Sequence, residues 1–205
     1  MPAEKKLTVL QKQQQSRPVI DDFINKFLDE DLKKTALDFV AWLRDKKMHP
    51  RWGGKINSWD AYCKSKSICT IRIDPWHTEG HHRGYYDDRP GSPPCLVIIP
   101  RLTNMETYKK TILNEKLQDI IWNNANSCVY SERSPSYGMA KAPGCSPGKP
   151  CAPGRDINVL GKVIKNNCCC FVLSLWNPGE AEISAIKRLL ELEQKARTEE
   201  KNTSN

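Results

Sequence analysis

Two blocks near the start of the chain repeat apolar residues every three or four positions: Val19, Ile20, Phe23, Ile24, Phe27 and Leu28, then Leu32, Ala36, Phe39, Val40 and Leu43. That period puts each set on one face of a helix, so two amphipathic helices open the folded part of the chain. Pro18 suits the first position of the first helix, because its missing N–H has no partner there anyway. Pro50 and the pair Gly53-Gly54 end the helical region. Residues 1–16 are polar, "LQKQQQ" included, and read as a frayed helix or a flexible tail.

From "NSWDAYC" through "SICTIRID" the period changes from three or four to two. The polar turn Lys64-Ser65-Lys66 separates two β-rich runs, which predicts a hairpin with Ile68, Thr70 and Arg72 on one face and Cys69, Ile71 and Ile73 on the other. "CLVIIPR" is nearly continuous in apolar residues, the mark of a central strand. Between these strands lies "PWHTEGHHRGYYDDRPGSPP", longer than an ordinary connection. A third helical stripe follows with Leu113, Leu117, Ile120 and Ile121, then a Pro/Gly/Cys-rich segment. The chain closes with the strand "CCCFVLSLW" and a helix bearing Ile183, Ile186, Leu189 and Leu190. Asn177 is placed as that helix's N-cap and Pro178 at its first position.

The order ααβββαβα predicts the α+β class, an antiparallel sheet packed against helices. The chain of 205 residues then divides into the tail 1–16, a single domain over 17–196 with a Pro/Gly/Cys-rich loop at 136–167, and a disordered tail at 197–205. "MPAEKK" has no apolar signal-peptide core, and no apolar run approaches the roughly 18 residues of a membrane span. A cytoplasmic protein with no membrane partner is the expectation.

Compartment bears on the cysteines. In a reducing cytoplasm, nine of them read as packed thiols, metal ligands or reactive groups before they read as disulfides. Five fall within Cys145–Cys170, in "CSPGKPCAPGRDINVLGKVIKNNCCC". A structural zinc site needs four deprotonated soft ligands in a tetrahedron, and Cys128, Cys145, Cys151 and Cys168 are the candidate set. Cys145 and Cys151 stand farther apart than an ordinary zinc knuckle, with Ser-Pro-Gly-Lys-Pro able to loop between them. The alternatives stay open: a redox-active or regulatory thiol at Cys145 or Cys151, activated by Lys149 and Arg155, or inert packing. Cys169 is in phase with Phe171, Leu173 and Leu175 and reads as core, and Cys63, Cys69 and Cys95 read as packed in or beside strands.

The net charge is +8, and the excess is local. Residues 136–170 carry Lys141, Lys149, Arg155, Lys162 and Lys165 against Asp156 alone. Such a segment balances a thiolate-bound cation, forms a solvated face, or, with less support, contacts nucleic acid.

The long loop concentrates His77, His81 and His82 with Glu79, Asp87 and Asp88. His77-x-Glu79 has the first half of the zinc-deaminase pattern, but Pro150-Cys151 lacks the second cysteine that completes it. Pro75 and Gly80 deny the pair a helix, so a surface loop is the simpler reading. Trp52, Trp59, Tyr62, Trp76, Tyr85 and Tyr86 surround this region and read first as core and hairpin packing, second as a ligand pocket or base-stacking surface. No Walker, dinucleotide-binding or GxSxG motif is present.

Together "ALDFVAWLR", "LQDIIWNNANSC", "CAPGRDINVLGKVIKNNC" and "NPGEAEISAIKRLLEL" resemble a family of small uncharacterised bacterial α+β proteins, over about residues 20–195. The resemblance implies a Cys/Gly-rich loop before the last strand and helix, with Cys128, Cys145, Cys151 and Cys168 or Cys169 at the matching positions. It implies no established activity. This chain inserts "VYSERSPSYGMAKAPG" after Cys128. The expected function is non-catalytic binding of a small ligand or protein partner, with a cysteine-held structural zinc. A thiol-dependent enzyme or switch and nucleic-acid binding through the basic loop are the alternatives.

Overall fold

A computed structural model describes residues 7–74, 94–125, 155–167 and 173–202. It has an α+β architecture with a five-stranded sheet in the order β1 (His49–Trp52), β2 (Ser58–Cys63), β3 (Lys66–Asp74), β4 (Cys95–Pro100), β7 (Leu175–Trp176), and a separate two-stranded sheet of β5 (Arg155–Val159) and β6 (Lys162–Asn167). Contacts group the described residues into two units, one of 7–74, 94–98 and 176–183, the other of 99–125, 155–167, 173–175 and 184–202.

In the first unit, α1 (Val9–Ser16) is a formed helix, the helical of the two readings for this polar stretch. A capping box starts it: the Gln11 N–H donates to Thr8 Oγ1, and the Thr8 N–H donates back to Gln11 Oε1. Gln13 then buries itself, donating to Asn57 Oδ1 at 2.6 Å and accepting from the Asn57 N–H at 3.0 Å. A polar helix is held by its ends and one glutamine, contacts that apolar periodicity does not reveal.

The two amphipathic helices are α2 (Ile20–Phe27) and α3 (Glu30–Asp45), the latter capped by Asp29 accepting from the Leu32 N–H. Helix α2 starts at Ile20, not at Pro18, and the Pro18 carbonyl instead accepts the indole N–H of Trp59 at 2.8 Å. Ile20, Ile24, Ala36, Phe39, Val40 and Leu43 are buried as the stripes require. Phe23 meets Trp59 edge-on, 5.1 Å between ring centroids.

An additional strand, β1 (His49–Trp52), replaces the expected break at Pro50. It lies at the sheet edge, where a proline without an N–H is tolerated. It pairs antiparallel with β2 (Ser58–Cys63), which in turn pairs with β3 (Lys66–Asp74). The β2–β3 hairpin turns at Lys64, φ 57. Its register sets Cys69 opposite Ala61 and Ile71 opposite Trp59 on one face and Thr70 opposite Asp60 on the other, as the alternation predicts, with Ile68 and Thr70 buried as well. The interior strand β4 (Cys95–Pro100) follows, with Leu96, Val97 and Ile98 fully buried. Asn177 is no N-cap: its backbone N–H donates to Leu96 O and its side chain accepts from the Leu96 N–H, both at 2.8 Å.

In the second unit the third stripe forms two short helices, α4 (Lys109–Asn114) and α5 (Gln118–Asn123), broken at Lys116, φ 55. Leu113 is exposed, while Ile112 and Ile121 are buried. Within the expected loop at 136–167 stands a hairpin, β5 (Arg155–Val159) and β6 (Lys162–Asn167). Strand β7 (Leu175–Trp176) precedes α6 (Glu180–Asn202), whose first turn is capped by the Gly179 N–H donating to Glu182 Oε2. Helix α6 continues through residues expected to be a tail, because Arg197 is buried and bonded there.

Candidate functional site

Cys128, Cys145, Cys151 and Cys168, and the histidines His77, His81 and His82, lie outside the described residues. Cys63, Cys69 and Cys95 are buried, in line with packing. Among the described residues no group of three or more Cys, His, Asp or Glu side chains is arranged to hold a metal ion. The described residues do form a cavity in the second unit, with a volume of about 340 Å³.

One wall is the segment from Leu102 to Thr107, which has no helix or strand to hold it and relies on α6 instead. Glu193, fully buried, accepts four hydrogen bonds. Oε1 takes the Thr103 hydroxyl and Arg197 Nε, both at 2.7 Å. Oε2 takes the Tyr108 hydroxyl at 2.7 Å and the Asn104 N–H at 3.0 Å. Arg197, one turn on, also donates from Nη2 to the Arg101 carbonyl at 2.8 Å. Residues 101, 103, 104 and 108 are therefore tied to one carboxylate and its guanidinium partner. Burial pushes the Glu193 carboxyl up, but the bonds from Tyr108, Thr103, Arg197 and Asn104 outweigh it and hold the group below the usual carboxylate range. Tyr108 goes the other way: burial, then its bond to Glu193, raise its phenol well above the ordinary value.

The other wall is the β5–β6 hairpin, which contributes Ile157, Asn158, Val159 and Leu160. Its two-residue turn has Leu160 at φ 55 and Gly161 at φ 91. Positive φ at both positions is the primed turn that matches strand twist, and glycine or asparagine normally fills it. A leucine there costs about 1–2 kcal/mol in backbone conformation. Its side chain is buried against the cavity, which offsets that cost and ties the departure from turn chemistry to this site. Asn158 Oδ1 closes the turn by accepting from the Gly161 N–H. Trp122 braces the hairpin, its indole N–H donating to the Val159 carbonyl at 2.9 Å while Lys162 Nζ lies 4.9 Å from its ring centroid.

The lining thus combines Leu102, Met105, Ile157, Val159 and Leu160 with the neutral polar groups of Thr103, Asn104, Thr107 and Asn158. Glu106 is its one charged lining residue among those described, and it pairs with Lys109 at 3.3 Å. No lysine or arginine lines it among the described residues. Sequence reading missed this site, although a signal was present. The stripe Ile183, Ile186, Leu189 and Leu190 continues at helical spacing onto Glu193 and Arg197, an opposite-charge pair four apart on a buried face.

Neither a family model, a curated protein nor a solved structure matches the chain. Among the described residues no helix is long and apolar enough to cross a membrane.

Proposed function

We propose that this chain is a non-catalytic binding protein whose cavity between residues 102–107 and 157–160 takes a small amphipathic molecule, uncharged or cationic. The observation that carries the reading is the composition of the lining, apolar walls with hydroxyl and amide groups and no described cation to meet an anion. Catalysis gains no support from the perturbed groups nearby. The four acceptor contacts of Glu193 are already used, and Tyr108 spends its proton on one of them. A carboxylate pushed down and a phenol pushed up both hold their charge state through neutral pH, the opposite of what proton transfer asks.

The zinc reading belongs to the same proposal. Four thiolates from Cys128, Cys145, Cys151 and Cys168 would close a tetrahedral site, which supplies folding energy and leaves no open position for chemistry.

The cavity reading is tested by thermal-shift screening of uncharged and amine-bearing fragments against the wild type and Met105→Trp, in which a lining side chain is enlarged. Hits that raise the melting temperature of the wild type and not of the variant are expected. Hits that stabilise both equally contradict the reading.

A further inference from the structure

We propose a second binding site, in the first unit at the β1–β2 turn, that takes a small oxyanion, a carboxylate or a phosphate, on the N–H groups of Trp52 and Asn57. Two buried donors without an acceptor among the described residues occur in this one turn, Trp52 Nε1 and Asn57 Nδ2. An unmet buried N–H costs about 1–3 kcal/mol, so two in one turn call for a common acceptor. Asn57 as a whole is only 1% exposed.

Topology sets both donors on the same side of the sheet. Trp52 pairs with Trp59 in the β1–β2 register, and Trp59 is the residue that meets Pro18 and Phe23. Asn57 extends the β2–β3 ladder by one residue, its carbonyl accepting from the Ile73 N–H. Its amide meets Gln13 on that same helical side. The clasp with Gln13 uses Asn57 Oδ1 and leaves Nδ2 as the spare donor. Asn57 holds φ 51 to make this geometry, a left-handed conformation that asparagine tolerates better than most residues.

Charge selects the class of acceptor. The turn itself carries the exposed Lys55, and the carboxylate beside it, Asp60, stands across from Arg51 in the β1–β2 register, on the face opposite to Trp52. A Cβ added at Gly54 would meet nothing within 4 Å, whereas one at Gly53 would meet Asp60 Oδ2, so the turn is open on its Gly54–Lys55 side. Two N–H donors that lack an acceptor among the described residues, on the face away from Asp60 and beside the exposed Lys55, suit an oxyanion better than an amine. This inference is independent of the cavity in the second unit.

The test is a ¹⁵N-resolved titration of the full chain with sodium acetate and, separately, inorganic phosphate, each against chloride at constant ionic strength. The Trp52 indole signal, identified by its loss in Trp52→Phe, is expected to move saturably. The affinity read from the backbone amides of Gly53–Asn57 is expected to fall about tenfold in that variant. Saturation by acetate alone assigns a carboxylate, and saturation by phosphate alone a phosphate. Lys55→Gln, at an exposed position, provides a second reading and should weaken binding at low salt. The proposal is overturned if neither anion saturates, if Trp52→Phe binds as the wild type does, or if Trp52→Phe melts higher than the wild type in saturating anion, since the indole N–H then has no acceptor.

Discussion

The hydroxyl of Tyr108 donates to Glu193 Oε2 at 2.7 Å, joining residues 85 apart in sequence. This bond is one of four converging on a carboxylate with no exposure, and it closes the C-terminal end of the segment that walls the cavity. Tyr108→Phe keeps the ring and removes one of the four donors. Hydrogen bonds to charged groups contribute about 1.5–3 kcal/mol, so the variant is expected to lose about 2 kcal/mol in denaturant unfolding, with faster amide exchange across residues 102–107. An unchanged midpoint and unchanged exchange would show that the bond does not hold the wall.

Acid should find the same anchor. The folded Glu193 carboxyl lies below its unfolded value of about 4.3, so the folded state binds fewer protons there. Its contribution is complete above the unfolded value and is lost as pH falls through the lower folded one. Asp21, held down by its bonds to Arg44 against a smaller desolvation effect, acts in the same direction, as does Glu115 through Arg188, but these pairs are solvent-exposed and contribute little. Unfolding midpoints measured from pH 6 to about pH 2 should drop below about pH 4. In Glu193→Gln that acid-dependent part should shrink, on top of a loss of about 3 kcal/mol near neutrality from breaking a buried ion pair. Parallel pH profiles for the two proteins would assign the acid sensitivity elsewhere.

Leu160→Asn relieves the backbone cost at φ 55 and removes buried apolar surface at once. The first term is about 1–2 kcal/mol and the second about 1.5–3, of opposite sign, so the net should fall between a gain of about 0.5 and a loss of about 2 kcal/mol. Cavity ligands should nevertheless bind more weakly. A gain in stability with undiminished binding would show that Leu160 serves neither purpose.

For the proposed zinc, Cys168→Ser should lower metal stoichiometry and thermal stability together. Elemental analysis of protein purified without chelator, alongside a melting curve, reads both. Retained metal with an unchanged melting curve removes Cys168 from the ligand set.

What the sequence disclosed follows from which physical signals are local. The β2–β3 hairpin was legible because Cys69, Ile71 and Ile73 alternate with Ile68, Thr70 and Arg72, and the observed register sorts Cys69 and Ile71 from Thr70 as expected. Strand β1 was not, because Pro50 and Gly53-Gly54 signal a break and only edge position makes that proline acceptable. The β5–β6 hairpin hid behind its Pro/Gly/Cys-rich surroundings and a turn whose first residue is a leucine. The helix break at Lys116 and the clasp of Gln13 on Asn57 depend on partners far along the chain. The cavity was the least legible feature, since its walls come from two segments far apart in the chain and its anchor from a third. Its one early trace was a charged pair on an apolar stripe.

The most direct test of the cavity's role is ¹⁵N chemical-shift mapping with matched fragments, each scaffold presented in uncharged, amine and carboxylate forms. Uncharged and amine forms should shift the amides of residues 102–107 and 157–160 saturably, while the carboxylates leave them in place. Carboxylates that bind there as well as the amines, or shifts that gather elsewhere in the chain, would contradict the proposed function.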